Sequence, residues 1–383
     1  MENMYDVLII GGGPAGAACA LALQGSGLHV ALADKESFPR DKVCGDAIPG
    51  ASFKAIDKIN SNWGKKLREH ADSHLITASK AYVPNGKSFA INWTGFSYNS
   101  KRISFDNCLM DLVKTETKTE VFSGKRLKSV SVQKDGVDCN FHDGSSCKTK
   151  VLIGCDGANS VVKRSVLASS IADKYSCAAV RVYVKGIKEM QKGVNEFFYL
   201  KDYLPGYFWI FPLDNGAANV GFGMLKNTHD TKESVNLRET MEKIMRSDPQ
   251  LSPRFKDAEF LDDIKGFSLP MYFKRKKVSA DRILLCGDAA SLIDPAMGHG
   301  IDKAIWSGYY AAQQVKECFA KKDFSATQMS RYDRALYKKI GFELERSRWS
   351  MAIINRFPSA VNVLALMAKR QGFLQWVVRV FKV

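Results

Sequence analysis

The chain has 383 residues, room for two domains, and its apolar and charged fractions are those of an ordinary globular protein. A formal charge of +16 suits an anionic surface, an anionic substrate or nucleic acid, but no zinc-finger spacing or aromatic RNP-type string accompanies it, so no nucleic-acid partner is expected. Nine cysteines without a C-x-x-C pair or a secretory leader point to reduced thiols in a cytoplasm, and no apolar run reaches the ~18 residues of a membrane span.

Val7 to Ile10 is a short apolar run rich in β-branched residues, which predicts a buried parallel strand. Gly11, Gly13 and Gly16 follow as G-x-G-x-x-G, with Pro14 and Ala15 in the turn. Ala15 to Gln24 reads as a helix, His29 to Ala33 as a second strand, and Asp34 stands at its end with Lys35 beside it. In such a unit the first glycine permits the tight turn, the second lets a pyrophosphate approach the backbone, and the third lets helix and strand pack closely. The helix N-terminus offers unpaired N–H groups to the phosphates. Asp34 lies about the expected ~20 residues on, placed to accept from a ribose hydroxyl, which selects FAD or NAD over NADP.

A polar loop follows, Phe38 to Asp46, with Cys44 between Lys42 and Gly45. A neighbouring lysine favours a thiolate, although most cysteines act as small buried hydrophobes. Ile76 to Val83 and Lys87 to Trp93 read as strands joined by Pro84-Asn85-Gly86, a strong hairpin signal that belongs to a second sheet. Arg102 precedes an amphipathic helix from about Asn107 to Thr117. Leu127 to Gly157 reads as a β-meander whose last strand, Val151 to Gly154, ends in Cys155-Asp156-Gly157, and a helix is expected from Val161 to Val166. Open α/β sheets bind ligands at such strand ends. Ala178 to Met224 is β-rich, and in Tyr207-Phe-Trp209-Ile-Phe211-Pro212 period two puts Tyr207, Trp209 and Phe211 on one face. That face suits a large flat or apolar ligand, or a sheet core packed on a helix.

Thr231 to Ser247 reads as a charged amphipathic helix. Ile283 to Cys286 is again an apolar strand, ending in Gly287-Asp288. A loop with Pro295, Gly298, His299 and Gly300 then enters a helix from Gly300 to about Phe319. The tail from Arg331 to Val383 carries eleven Lys or Arg and three acidic residues, is helical, and is broken at Pro358. Its apolar stretches, Ala360 to Met367 and Phe373 to Phe381, suit a helix in an anionic membrane interface or one packed on the nucleotide domain.

Taken in order, Gly11-x-Gly13-x-x-Gly16 with Asp34, Arg102, Asp156-Gly157 and Gly287-Asp288 resemble the FAD-dependent oxidoreductases of the p-hydroxybenzoate-hydroxylase fold. Lys42-x-Cys44-Gly45 and Tyr207-x-Trp209-x-Phe211-Pro212 resemble the K-x-C-G loop and Y-x-W-x-F-P motif of the geranylgeranyl reductase group within them. The resemblance implies an α/β fold with a Rossmann-like FAD-binding domain (1–74, 101–170 and 274–330), an inserted antiparallel β-sheet substrate domain (75–100 and 171–273) and a C-terminal helical basic segment (331–383). It implies that Gly11, Gly13, Pro14, Ala15 and Gly16 hold the pyrophosphate, Asp34 and Lys35 the adenosine ribose end, and Arg102 the phosphate region. Lys42, Asp156, Gly157 and Asp288 would lie along the cofactor, while Pro295, Gly298, Gly300 and Ile301 would pass under the isoalloxazine. Cys44, Tyr207, Trp209 and His299 would face the reaction.

Two departures stand out. His299 occupies a place where the reductases often have Glu, and Ser291 one where aromatic hydroxylases typically carry His. The expected activity is reduction of carbon–carbon double bonds in an apolar, isoprenoid or lipid-like substrate by hydride from reduced FAD, with NAD(P)H or another reduced donor as electron source. A monooxygenase acting on an aromatic or polyketide substrate is the alternative. A flavin halogenase comes third, since Tyr207 and Phe211 depart from the G-W-x-W-x-I-P run of that family. A non-catalytic FAD-binding accessory protein is a reading from another class. No metal is expected, and the location is cytoplasmic, with peripheral membrane contact through the basic tail.

Overall fold

The computed structural model describes residues 4–70, 72–166, 176–225, 235–357 and 362. An eight-stranded sheet has the order Ser279–Ala280, Ile283–Leu285, Ser146–Gly154, Met4–Ile10, Val30–Ala33, Glu120–Phe122, with Val137–Phe141 and Leu127–Val132 folded on as the antiparallel meander. The strands around Met4–Ile10 run parallel, in a register that sets Val7 beside Val30 and Val151. Their side chains are covered on both faces, which is why they read as continuous apolar runs. The helix Pro14–Leu23 is buried along its whole length. It lies between the sheet and the helix Ile301–Lys321, where Gly308 meets the backbone of Ala15 and Cys19 with no room for a side chain.

The second sheet has nine strands. The hairpin His74–Tyr82 and Ser88–Asn99 forms one end, and Ser176–Lys185, Ala217–Leu225 and Tyr207–Pro212 form the middle. The sheet is antiparallel as expected apart from one pair: Val194–Phe198 runs parallel to His74–Tyr82, being joined to it by a crossover and not by a hairpin. A two-residue strand, Ala47–Ile48, joins this sheet beside Tyr98 and Asn99, so the polar loop after Asp34 is pinned to it. Alternation along the strands sorts the side chains. Val180, Val182, Phe208 and Phe222 pack on Met241 and Ile244 of the helix Leu237–Ser247, and Ala179, Trp209 and Phe211 face the other way.

That helix is shorter than expected at its start, where Asn236 caps it and residues 231–234 lie outside the described residues. Arg102 is the first residue of the helix Arg102–Glu116 and not a residue before it. The last described helix, Ala326–Arg356, is capped by Ser325 and ends two residues before Pro358, as a proline's restraint on the preceding residue requires. Of the tail segments expected at 360–367 and 373–381, all but residue 362 lies outside the described residues. The nine cysteines are free thiols. Among the described residues no helix is long and apolar enough to cross a membrane.

Candidate active site

The crevice begins where Ile10 ends its strand. Gly11 has φ +102°, a turn closed to other residues, and a Cβ on Gly16 would strike the carbonyl oxygen of Gly11. Asp34 serves the turn itself. Its Oδ2 accepts the Gly12 N–H at 2.6 Å and its Oδ1 the Glu36 N–H at 2.9 Å. Each oxygen keeps a second acceptor position for a hydroxyl. Lys35 is exposed.

Sequence reading missed Arg40. It lies across the turn, Nη2 3.8 Å from Asp34 and Nη1 3.4 Å from Asp106, and its buried Nε has no partner. Beside Gly13 a Cβ would meet nothing nearer than Arg40 Nη2, at 3.5 Å. The helix behind Gly13 has no side-chain cap. An open backbone, an uncapped helix N-terminus and a guanidinium with an unused N–H make a donor set that fits a pyrophosphate.

Asp156 and Asp288 close the crevice from the neighbouring strand ends. Asp156 Oδ2 accepts the N–H groups of Val161 and Val162 at 2.7 and 3.2 Å, capping the helix Val161–Val166, while Oδ1 is buried without a partner. Gly157 turns the chain between the two with φ +77°. Asp288 sits on the short turn Gly287–Ala290 and receives Lys42 Nζ at 3.0 Å. Lys42 therefore reaches the crevice instead of Cys44. The cation beside Cys44 is Arg102, whose buried guanidinium grips Asp106 through two bonds of 2.7 Å and also reaches the thiol. Arg102 pairs with Asp106 one turn on in the helix Arg102–Glu116.

The Cys44 loop lies on the aromatic strand. A Cβ on Gly45 would sit 3.4 Å from Phe211 and 3.6 Å from Trp209. Asn219 fastens the two together: it accepts from Trp209 Nε1 at 2.9 Å and donates to the Cys44 carbonyl and to Asp46 Oδ2, both at 2.8 Å. Asp46 is fully buried and also accepts from the Tyr183 hydroxyl at 2.7 Å and from the Arg102 N–H at 3.2 Å. Burial pushes its carboxyl up to about 6, against the opposing hydrogen bonds from Asn219 and Tyr183. Neither Asn219 nor Asp46 carried a recognisable signal, because their partners come from distant strands.

On the other side stands the loop before the long helix. Asp294 Oδ1 accepts the N–H groups of Ala296 and Met297 at 2.9 Å, which turns the chain at Pro295, and Gly298 N–H bonds back to the Asp294 carbonyl. The Tyr207 hydroxyl donates to the Met297 carbonyl at 2.8 Å and lies 3.1 Å from where a Gly298 Cβ would be. Burial holds that phenol well above its ordinary pKa, so it remains protonated. Gly300 packs on Ile293, Ile301 is buried as the first helical residue, and His299 Nδ1 lies 3.1 Å from Asp302 Oδ1. The structure thus brings the Cys44 loop, the aromatic strand of Tyr207 and Trp209, and the 295–301 loop together beside the strand ends.

A family sequence model described as an FAD binding domain matches residues 4–322. The chain is 26% identical over 377 residues to a digeranylgeranylglycerophospholipid reductase of Methanocella arvoryzae, covering 95% of this chain and 91% of that one. It is 27% identical over 376 residues to a menaquinone reductase of Mycobacterium tuberculosis, covering 94% and 86%. Its fold is similar to the crystal structure of a geranylgeranyl bacteriochlorophyll reductase-like protein from Thermoplasma acidophilum, with a TM-score of 0.84, 21% identity, and coverage of 98% and 96%.

Proposed function

The chain belongs to the FAD-binding domain family and is a flavin-dependent oxidoreductase, and from that premise we propose that it reduces carbon–carbon double bonds of an apolar, isoprenoid or lipid-like substrate. In this reading the parallel sheet with its helices carries the cofactor and the second sheet carries the substrate. Gly13, Arg40 and the N-terminus of Pro14–Leu23 would hold the pyrophosphate, Asp34 the adenosine ribose, and Asp288 with Lys42 the chain between phosphate and ring. When bound, FAD supplies a two-electron hydride donor, recharged by NAD(P)H or another reduced donor.

One observation carries the reading: Asn219 and Tyr207 fix the Cys44–Gly45 loop and the 295–301 loop on an aromatic floor. Trp209 and Phe211 lie roughly stacked there, 6.0 Å between centroids, which gives an isoprenoid chain an apolar bed. A recess lined this way excludes water from the reacting carbons. The names of the two relatives, a digeranylgeranylglycerophospholipid reductase and a menaquinone reductase, agree with such a substrate.

The substrate class also suits the surface. Phe342, Trp349 and Ile353 recur at helical spacing on Ala326–Arg356, with Phe357 just beyond its end, and are 78%, 60%, 54% and 60% exposed. Arg346, Arg348 and Arg356 lie over the rings of Phe342, Trp349 and Phe357. Ser347, on the buried side of the same helix, donates to Asp294, so the helix packs on the 294–301 loop and carries the stripe on its outer face. Aromatic residues interleaved with arginines fit an anionic bilayer interface, from which an apolar substrate can be taken up.

The test is anaerobic. The flavin of the purified protein is reduced and then mixed with a geranylgeranyl lipid, with menaquinone or with oxygen. Flavin reoxidation by a polyprenyl compound, with a product heavier by two hydrogens, is expected. Reoxidation by oxygen alone, with an oxygenated aromatic product, would overturn the reading in favour of a monooxygenase.

A further inference from the structure

Behind His299, charged side chains from two helices stand in file. Asp302 Oδ1 faces His299 Nδ1 at 3.1 Å, Asp302 Oδ2 accepts from Lys303 Nζ at 2.6 Å, and Lys303 also donates to Glu343 Oε1 at 2.5 Å. Lys303 is fully buried and the Asp302 side chain is 3% exposed, whereas His299 and Glu343 reach the surface at 27% and 40%. Burying a lysine between two carboxylates is costly unless the geometry holds every partner. Here it does: both Asp302 oxygens are used, one by the lysine and one by the imidazole, so the carboxylate cannot rotate away from His299.

We propose that Asp302, clamped by Lys303 and Glu343, is a positioning residue that keeps a proton on His299 Nδ1 and leaves Nε2 to deliver a proton into the recess. The imidazole turns Nδ1 to Asp302 and is 27% exposed. The use of that proton rests on the reductase reading. In that reading the reduced flavin would be the two-electron donor, one carbon of the double bond would take the hydride and the other the Nε2 proton as the π bond breaks, and the neutral imidazole would keep its Nδ1 proton on Asp302 until solvent returned the other.

The charges around the ring support this arrangement. Burial acts to lower the His299 pKa, but Asp302 outweighs it, with help from Asp294 and against Lys303, and the net direction is upward. Glu343 also faces the group, a carboxylate oxygen of Glu343, one of Asp294 and a ring nitrogen of His299 lying within 4.8 Å of one another.

The test uses FAD-loaded protein with 15N-labelled histidine, the His299 signal being assigned with His299→Gln. The neutral ring is expected as the Nδ1–H tautomer, with a midpoint above that of an ordinary histidine. Asp302→Asn should lower that midpoint by about one pH unit, a tenfold change in proton affinity, and Asp302→Glu should recover most of it. In turnover, Asp302→Asn should reduce kcat about a hundredfold with little change in KM. An Nε2–H tautomer in the wild type, or a midpoint that Asp302→Asn does not move, overturns the proposal. If Asp302→Asn does not fold, the wild-type tautomer decides. Tautomer and midpoint are read without substrate, so a failure to reduce double bonds would strike the proposed function and not this assignment.

Discussion

Asn219 donates a 2.8 Å hydrogen bond to the carbonyl oxygen of Cys44, 175 positions away in the chain. This one amide ties a loop of the nucleotide-binding half to a strand of the second sheet, and its other contacts, to Trp209 and Asp46, are both buried. The recess has the shape it has because this residue joins its two walls.

Replacing Asn219 by Ala should therefore loosen the recess without emptying the nucleotide crevice. Three buried polar groups would lose a partner, at about 1–3 kcal/mol for each left unsatisfied. Turnover should fall at least tenfold while flavin content stays near one per chain. Denaturant unfolding and the flavin absorbance of the same sample measure both. An unchanged turnover would show that the Cys44 loop needs no such anchor.

Asp46 should make stability depend on pH. Its folded-state pKa is raised from 3.8 to about 6, so the native state holds the proton more tightly than the unfolded chain. The contribution is fully present below about pH 4 and is lost as pH rises through about 6, a change on the order of 2–3 kcal/mol. Asp46→Asn should flatten that slope in urea melts taken from pH 4 to 7. An equal slope in the variant would assign it to other groups.

Gly13→Val should abolish FAD binding, because its side chain would occupy the space under Arg40 where the phosphates approach. Asp288→Ala should instead weaken binding by about ten- to a hundredfold, through a lost charge-assisted contact worth about 1.5–3 kcal/mol. Lys42→Ala should cost less, since its ammonium is 44% exposed and the pair is partly screened. Flavin released on denaturation, per chain, ranks the variants, and wild-type retention in Asp288→Ala would remove that residue from the cofactor site.

Vesicle sedimentation tests the surface stripe. The protein should bind anionic vesicles at low salt and less so as ionic strength rises. The double variant Phe342→Ser, Trp349→Ser should bind several-fold more weakly while keeping its FAD. Equal binding by neutral and anionic vesicles, or by the variant and the wild type, would rule the stripe out as the contact.

The sequence by itself determined the parts whose requirements are local. Gly11, Gly13 and Gly16 are backbone demands met within a few residues of one strand, and the Asn85-Gly86 hairpin and the shared face of Tyr207, Trp209 and Phe211 follow from turn chemistry and period two. What a charged side chain pairs with was not legible. Lys42 stands two residues from Cys44 yet reaches Asp288, 246 positions on, and Arg102 pairs with Asp106 and reaches the Cys44 thiol. Arg40, Asn219, Asp46 and Lys303 gave no signal at all. Their roles arise only when strands and helices remote in sequence close over them and exclude water, since a buried charge or amide must then find a partner among whatever groups the packing has brought within reach.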